Sequence, residues 1–313
     1  MRSRIFLIGA ATAVLVCAEP AAAPEKPTKE PSADDLYEAG KEMFDAYAPA
    51  EIKEHFEFPS RDQWDVFAAR LQQALDNEDL TALAGYESEA RAALAALRVF
   101  PEYADYADWL QVRLDYIEAA KATAKLAPTA PGSKVPPAGA GIPYYDLWLS
   151  RMHARAKPAR AAELMPILEA AFTAEGVPPE LAWLAEAEST LNPAARSPAG
   201  AKGLFQLMPA TAQSLGLRTM LPDERADAEK SARAAARYLK TLYGKFGDWP
   251  LAFAAYNAGE GRVRRLMTAR NARDFSALSS GLPSETRMYV PKVCATIAVR
   301  AGVAPEKIPA PRG

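Results

Sequence analysis

The sequence predicts an all-α protein, a small helical bundle followed by a second, larger helical region. Two observations carry that reading: apolar residues recur at helical spacing through long Ala-rich stretches, and the runs are punctuated by helix starters and stoppers rather than by hairpin turns. A third, two stretches of Pro, Ala, Gly, Glu and Lys that cannot pack, divides the chain into segments. The segments read as 1–18, 19–33, 34–126, 127–141 and 142–313.

Segment 1–18 reads as an export signal. Arg2 and Arg4 give a basic start, an apolar run follows from Ile5 to Val16, and no acid occurs before Glu19. The run is shorter than the ~20 residues that span a bilayer, and no later stretch is long enough. The expected location is the periplasm or cell envelope. Val16-Cys17-Ala18 fits a small-residue cleavage site, while Cys17 after a short apolar run also fits a lipidated cysteine, so a membrane contact is expected only if Cys17 is lipidated. Residues 19–33 then form a tether.

In 34–126, Asp62 caps a stretch with apolar Val66, Phe67, Leu71 and Leu75, and an Ala-rich run follows from Leu80 to Leu97. Pro101 opens a third helix carrying Trp109, Val112, Leu114, Tyr116 and Ile117. The region shows no catalytic pattern, and His55 between aromatic neighbours reads as a packing or surface residue. Its role is open, with a cell-wall protein partner one candidate. After the 127–141 linker, Ala228, Ala232, Ala235, Tyr238, Leu239 and Leu242 mark a helix packed closely through small residues. Pro250 can open and Gly259 can close a helix ending in Tyr256 and Asn257.

Composition narrows the chemistry. The chain has 313 residues, half of them hydrophobic, enough for a real core. Two cysteines (Cys17, Cys294) and two histidines (His55, His153) are too few for a zinc finger, an iron–sulfur cluster or a disulfide framework, so no metal or other cofactor is expected. Cys294 reads as a small buried apolar residue. There is no phosphate-binding glycine loop and no GxSxG elbow, and the lone Gly259-Glu260-Gly261 is too short for a dinucleotide fingerprint. No nucleic-acid partner is expected.

Net charge near zero conceals a split. Residues 34–126 carry 20 acids and 9 bases, net −11, whereas 142–313 carry 16 acids and 23 bases, net +7. Such halves could dock on one another, attract separate partners, or simply present solvated faces.

The segment from Pro179 to Pro209, PELAWLAEAESTLNPAARSPAGAKGLFQLMP, reads as a helix followed by a loop rich in small residues. At 100° per residue, Leu181, Leu184, Ala185 and Glu188 share one stripe, while Glu186 points about 160° away toward water. A carboxyl on a buried face tends to stay protonated near neutrality, as a general acid must, although an inward Glu can also cap a loop. Gly200 and Gly203 fit a chain folding back tightly on the helix end. Glu285 and Tyr289 stand i, i+4 on the last helix and share a face.

The stretch ESTLNPAARSPAGAKGLFQLMPATA from Glu188, with AYNAG at Ala255–Gly259 and ETRMYV at Glu285–Val290, resembles the soluble lytic transglycosylase catalytic domain, a lysozyme-like helical fold that cleaves peptidoglycan. YYDLW and GVPPELAWL resemble the membrane-bound lytic transglycosylase D branch. The resemblance runs from about Ile142 to Gly302 and leaves 34–126 unmatched.

The resemblance implies that Glu188 is the single catalytic acid and base, with Ser197 orienting its carboxyl and Gln206 and Met208 lining the sugar groove. It implies that Tyr256, Asn257, Glu285 and Tyr289 contact the saccharide or brace the helix of Glu188. The partner implied is a peptidoglycan glycan strand, cut between N-acetylmuramic acid and N-acetylglucosamine with a 1,6-anhydromuramyl end formed. A lysozyme-like hydrolase on the same fold and a noncatalytic peptidoglycan-binding scaffold are the alternatives. Asp or Glu beside Glu188 would be needed for a two-carboxylate glycosidase, and the matched blocks offer no obvious one.

Overall fold

A computed structural model describes residues 41, 69–71, 73–98, 104–126, 141–197 and 199–312. The leader, the tether, Cys17, His55, Asp62, Val66, Phe67, Pro101 and nearly all of the 127–141 linker lie outside the described residues. Among the described residues the regular structure is helical, with β-type pairing limited to isolated bridges at Arg196, Lys202 and Leu207. No described helix is long and apolar enough to cross a membrane.

The Ala-rich run forms two helices, not one. Asp79 caps α1 (Leu80–Ala84) by accepting the Thr81 N–H at 2.8 Å, and Gly85 and Tyr86 separate it from α2 (Glu87–Arg98). Both pack along α3 (Ala104–Leu126), which buries Val112, Leu114, Tyr116 and Ile117 on several sides and leaves Trp109 partly buried. The acidic half thus supplies a long helix that itself needs covering on several sides.

That cover comes from the other half. The helices there are α4 (Tyr145–Ala154), α5 (Ala161–Ala174), a 3₁₀ turn at Pro179–Trp183, α6 (Leu184–Ser189) and α7 (Pro209–Ser214). They continue as α8 (Ala228–Phe246), α9 (Trp249–Ala258), α10 (Glu260–Arg270), α11 (Phe275–Ser279) and α12 (Ser284–Ala301). Asp227 and Asp248 cap α8 and α9 by accepting the N–H groups of Lys230 and Leu251, Pro250 sits in the first turn of α9, and Gly259 ends it at φ 86°. α8 buries Ala232, Ala234, Ala235, Ala236, Leu239 and Leu242 against α5 and α9, the close approach its small residues predict.

α12 is the central element, packing on α4, α9, α6 and α3. Its Cys294 is fully buried, in keeping with a small apolar role. The buried side chains of α3 join those of α4, α6 and α12 in one hydrophobic cluster. Opposite charges meet across it: Asp115 of α3 faces Arg155 at 2.8 Å and Lys292 at 3.4 Å, and Glu118 takes Arg151 at 2.6 Å. Of the arrangements the charge split allows, these pairs realise docking between the halves.

Glu186 corrects the reading of an outward face. It is 1% exposed and forms a two-pronged pair with Arg300 of α12, both bonds 2.8 Å. The helical wheel assumes a solvent face that this helix lacks. All six residues of α6 are buried, so the helix has no solvent face to which Glu186 could turn. Removing one member of a buried pair strands the other charge. Glu186→Gln should therefore lower unfolding free energy by about 3 kcal/mol, read as a lower urea midpoint at unchanged slope. A midpoint equal to wild type would return Glu186 to the surface role.

Candidate active site

Glu188 lies in the last turn of α6, one residue before the chain leaves the helix. Thr190 (φ 55°) and Leu191 (φ 59°) then both adopt left-handed backbone, an unusual conformation for side chains that branch or bulk at Cβ and beyond. Three groups hold this exit. Ser189 Oγ donates to the Leu204 carbonyl at 2.9 Å, its oxygen receives the Asn192 N–H at 3.2 Å, and Leu191 is fully buried.

The following loop folds back on itself as its glycines predict. Gly203 has φ 81° and donates its N–H to the Ala195 carbonyl at 2.8 Å, and a Cβ there would overlap the Arg225 carbonyl. Arg225 reaches into the loop to donate to the carbonyls of Gly200 (2.8 Å) and Leu207 (3.1 Å), and Asp223 holds Arg225 and Lys202 together. That double partnership lowers the Asp223 pKa to about 2 against the opposing cost of burial. No sequence motif had singled out Arg225 or Asp223; their role depends on contacts some twenty residues away.

Glu188 is 8% exposed, and among the described residues its carboxyl accepts one hydrogen bond, from the Tyr289 hydroxyl, at 2.6 Å. Burial raises its pKa to about 7; the Tyr289 bond and the cations Arg113 and Lys292 oppose that rise, and Glu285 adds to it. Burial is the dominant cause, as the apolar stripe of the sequence implies. The Tyr289 and Tyr256 phenols are both pushed well above their ordinary range, again by burial first and then by the nearby Glu188 charge, so both act as neutral hydrogen-bonding groups.

The other candidates divide by what they touch. Tyr289 meets Glu188 directly. Glu285 accepts from Arg113 at 3.0 Å and from the Asn257 amide at 3.5 Å, while Asn257 accepts the Thr286 hydroxyl at 2.7 Å, tying the end of α9 to the start of α12. Tyr256 donates its hydroxyl to the Phe205 carbonyl at 2.7 Å, fixing the loop against α9. Ser197 is engaged within the loop, where its hydroxyl accepts the Ala201 N–H at 2.9 Å; the polar partner of the Glu188 carboxyl is Tyr289 instead. Gln206 (φ 45°) donates to the carbonyls of Ala195 and Gly203, leaving its buried amide oxygen without a partner. Met208 is exposed immediately before α7.

Sequence reasoning missed the contribution of α3. Asp108 accepts the Asn192 amide at 2.7 Å just beyond α6, Arg113 holds Glu285, and Asp115 faces Lys292. Lys292 is fully buried one turn from Tyr289, donates to the Ala187 carbonyl at 3.2 Å and lies 5.0 Å from the Tyr116 ring. Burial lowers its pKa to about 8, with Asp115 opposing. In the sequence these residues sit in a region without a motif, and nothing local marks a helix about 75 residues upstream as a wall of the site.

The raised pKa of Glu188 links protonation to folding. An unfolded Glu loses its proton near 4.5 and the folded one near 7, so charging Glu188 destabilises the fold as pH climbs through that interval. Glu188→Gln lacks this loss. Urea unfolding should therefore show the variant gaining on wild type by up to about 3 kcal/mol between acid and slightly alkaline pH. A difference constant with pH would show that the carboxyl is not held in its acid form.

Residues 165–279 match the model of the Transglycosylase SLT domain. Over 125 residues the chain is 42% identical to membrane-bound lytic murein transglycosylase D of Escherichia coli, covering 38% of this chain and 27% of that protein. Over 120 residues it is 40% identical to the soluble lytic murein transglycosylase of Salmonella typhimurium, covering 36% and 19%. The match thus spans about a quarter or less of either relative's length. A solved lytic transglycosylase Slt from Pseudomonas aeruginosa overlays 89% of this chain and 50% of its own at 21% identity and a TM-score of 0.41. Glu188, the folded-back loop and Tyr256 fall inside the matched residues, whereas Glu285, Tyr289 and all of α3 fall outside them. Over residues 165–279 the chain is thus similar to the transglycosylase SLT domain.

Proposed function

We propose that this protein is a peptidoglycan lytic transglycosylase, exported to the cell envelope, in which Glu188 serves as acid and then base. The single observation that carries the reading is a carboxyl held out of water with a pKa near 7 in a domain whose relatives are named lytic murein transglycosylases. Glu186 is committed to Arg300, and Glu285 to Arg113 and Asn257, whereas Glu188 has no ion-pair partner among the described residues.

Glu188, protonated, gives its proton to the oxygen joining N-acetylmuramic acid to N-acetylglucosamine as the bond from that oxygen to the muramyl C1 breaks. Positive charge develops at C1, and the carboxylate left behind is its nearest counter-charge. The muramyl 6-hydroxyl then attacks C1, forming the C1–O6 bond, and its proton passes to Glu188, which is restored. No water is consumed. Because the nucleophile belongs to the substrate, the attack gains the advantage of an intramolecular reaction. Tyr289 orients the carboxyl through its 2.6 Å bond, and Gln206, Met208 and Asn257 complete the groove. The basic residues of 142–313 favour approach to an anionic wall polymer. The segments 1–18, 19–33, 34–126, 127–141 and 142–313 stand in this proposal as leader, tether, acidic helical region, linker and catalytic region, and a wall-protein partner for 34–126 would bind faces not used by α3 in docking.

The experiment is digestion of sacculi in heavy-oxygen water with mass spectrometry of the fragments. The proposal expects unlabelled 1,6-anhydromuramyl ends; labelled reducing ends would replace it with hydrolysis on the same fold. Glu188→Gln should retain sacculus binding and lose roughly a thousandfold or more in turnover, since both proton transfers fail. Retained turnover would remove Glu188 from the chemistry.

A further inference from the structure

Arg113 lies on α3, outside the SLT match and in a segment without a motif, yet it ends in the site. Its guanidinium stacks over the Trp109 ring one turn back at 5.0 Å and donates to Glu285 Oε1 at 3.0 Å. The same oxygen receives the Asn257 amide, so one carboxylate is gripped from two helices. Both members of the pair are largely buried, with side chains 14% and 16% exposed. α3 cannot slide away, because Asp108 holds Asn192 and Asp115 faces both Arg155 and Lys292 on neighbouring turns.

We propose that Arg113 is a positioning residue of this active site, which clamps Glu285 against Asn257 and neutralises the like charge that Glu285 would otherwise present to Glu188. The inference rests on the reading of Glu188 as the acid. The groups that face Glu188 are Arg113 and Tyr116 from α3, Tyr256 from α9, and Glu285, Tyr289 and Lys292 from α12, with Asp115 of α3 behind Lys292. Lys292 adds a further cation, partly offset by Asp115, which it shares with Arg155, and the three phenols stay neutral. Arg113 and Glu285 act on Glu188 with opposite sign, so changing either one shifts the field there in a known direction.

A clamp that merely fastened α3 to α12 would behave differently. Loosening it would admit water to Glu188 and move the carboxyl toward its solution value, whereas deleting a neutralising cation moves it the other way. The sign separates the two roles.

The full chain carrying carbon-13 at glutamate carboxyls can be titrated by NMR, with the Glu188 signal identified by its disappearance in Glu188→Gln. Arg113→Met should raise the Glu188 midpoint by about one pH unit, and Arg113→Lys should lie close to wild type because the charge returns. Glu285→Gln should lower the midpoint, and the double variant Arg113→Met/Glu285→Gln should return near wild type. A midpoint that stays or falls in Arg113→Met would overturn the proposal. If Arg113→Met does not fold, an unmoved midpoint in Glu285→Gln would overturn it equally. The titration needs no turnover, so a protein inactive on sacculi would sink the lytic reading and leave the result for Arg113 standing.

Discussion

The burial of one carboxyl is the constraint on which the rest of this structure depends. Glu188 can act as an acid near neutrality only if water is kept from it, and a carboxylate out of water costs several kcal/mol unless it is protonated or paired. The structure leaves it one neutral partner, the Tyr289 hydroxyl at 2.6 Å, and surrounds it with elements drawn from far along the chain. α6 supplies the residue, α12 the phenol, α9 and the folded-back loop one side, and α3 the other. The nearby charges are tied to one another: Arg113 with Glu285, Asp115 with Lys292 and Arg155, Glu186 with Arg300. Paired in this way they anchor the walls, and burial outweighs the pull of Arg113 and Lys292 toward the charged form of Glu188.

The same constraint explains the strained exit from α6. A helix of six buried residues has to end abruptly if the residue after Glu188 is to be followed by a groove and not by more helix. Two consecutive left-handed residues achieve the turn, and Ser189 stabilises it by bridging Leu204 and Asn192. Gly203, gripped under Arg225, lets the loop return close enough for Tyr256 to fasten Phe205. Left-handed backbone at Thr190 and Leu191 is thus balanced by hydrogen bonds that close only when the whole loop is in place.

How far this was legible in the sequence depends on the range of the interaction. Periodicity found α8 without its Asp227 cap, Pro250 and Gly259 bounded α9, Glu285 and Tyr289 fell on one face, and Glu188 turned inward, because each of these is decided within about two helical turns. It failed at Glu186, because every side of α6 is covered. It could not see Arg113, since a salt bridge between residues 172 positions apart leaves no periodic trace at either end. The charge imbalance between the halves did register in the sequence, but only the structure selects docking, through Asp115 and Glu118, from the arrangements it allows. Ser197 illustrates the converse: its motif position implied contact with Glu188, and local backbone geometry engages it with Ala201.

The central claim is that burial holds the Glu188 pKa near 7 in the free protein, so that its acid form is available at neutral pH, and that this form begins the reaction. The pH dependence of kcat/KM on soluble glycan-strand fragments tests it most directly, because that ratio reports the ionisation of the free protein. The account predicts a rate that falls tenfold per pH unit above a midpoint close to the Glu188 value of about 7. A rate that holds level or climbs from pH 6 to about 9 would mean that the reacting group is not a buried carboxylic acid, and would contradict the account at its foundation.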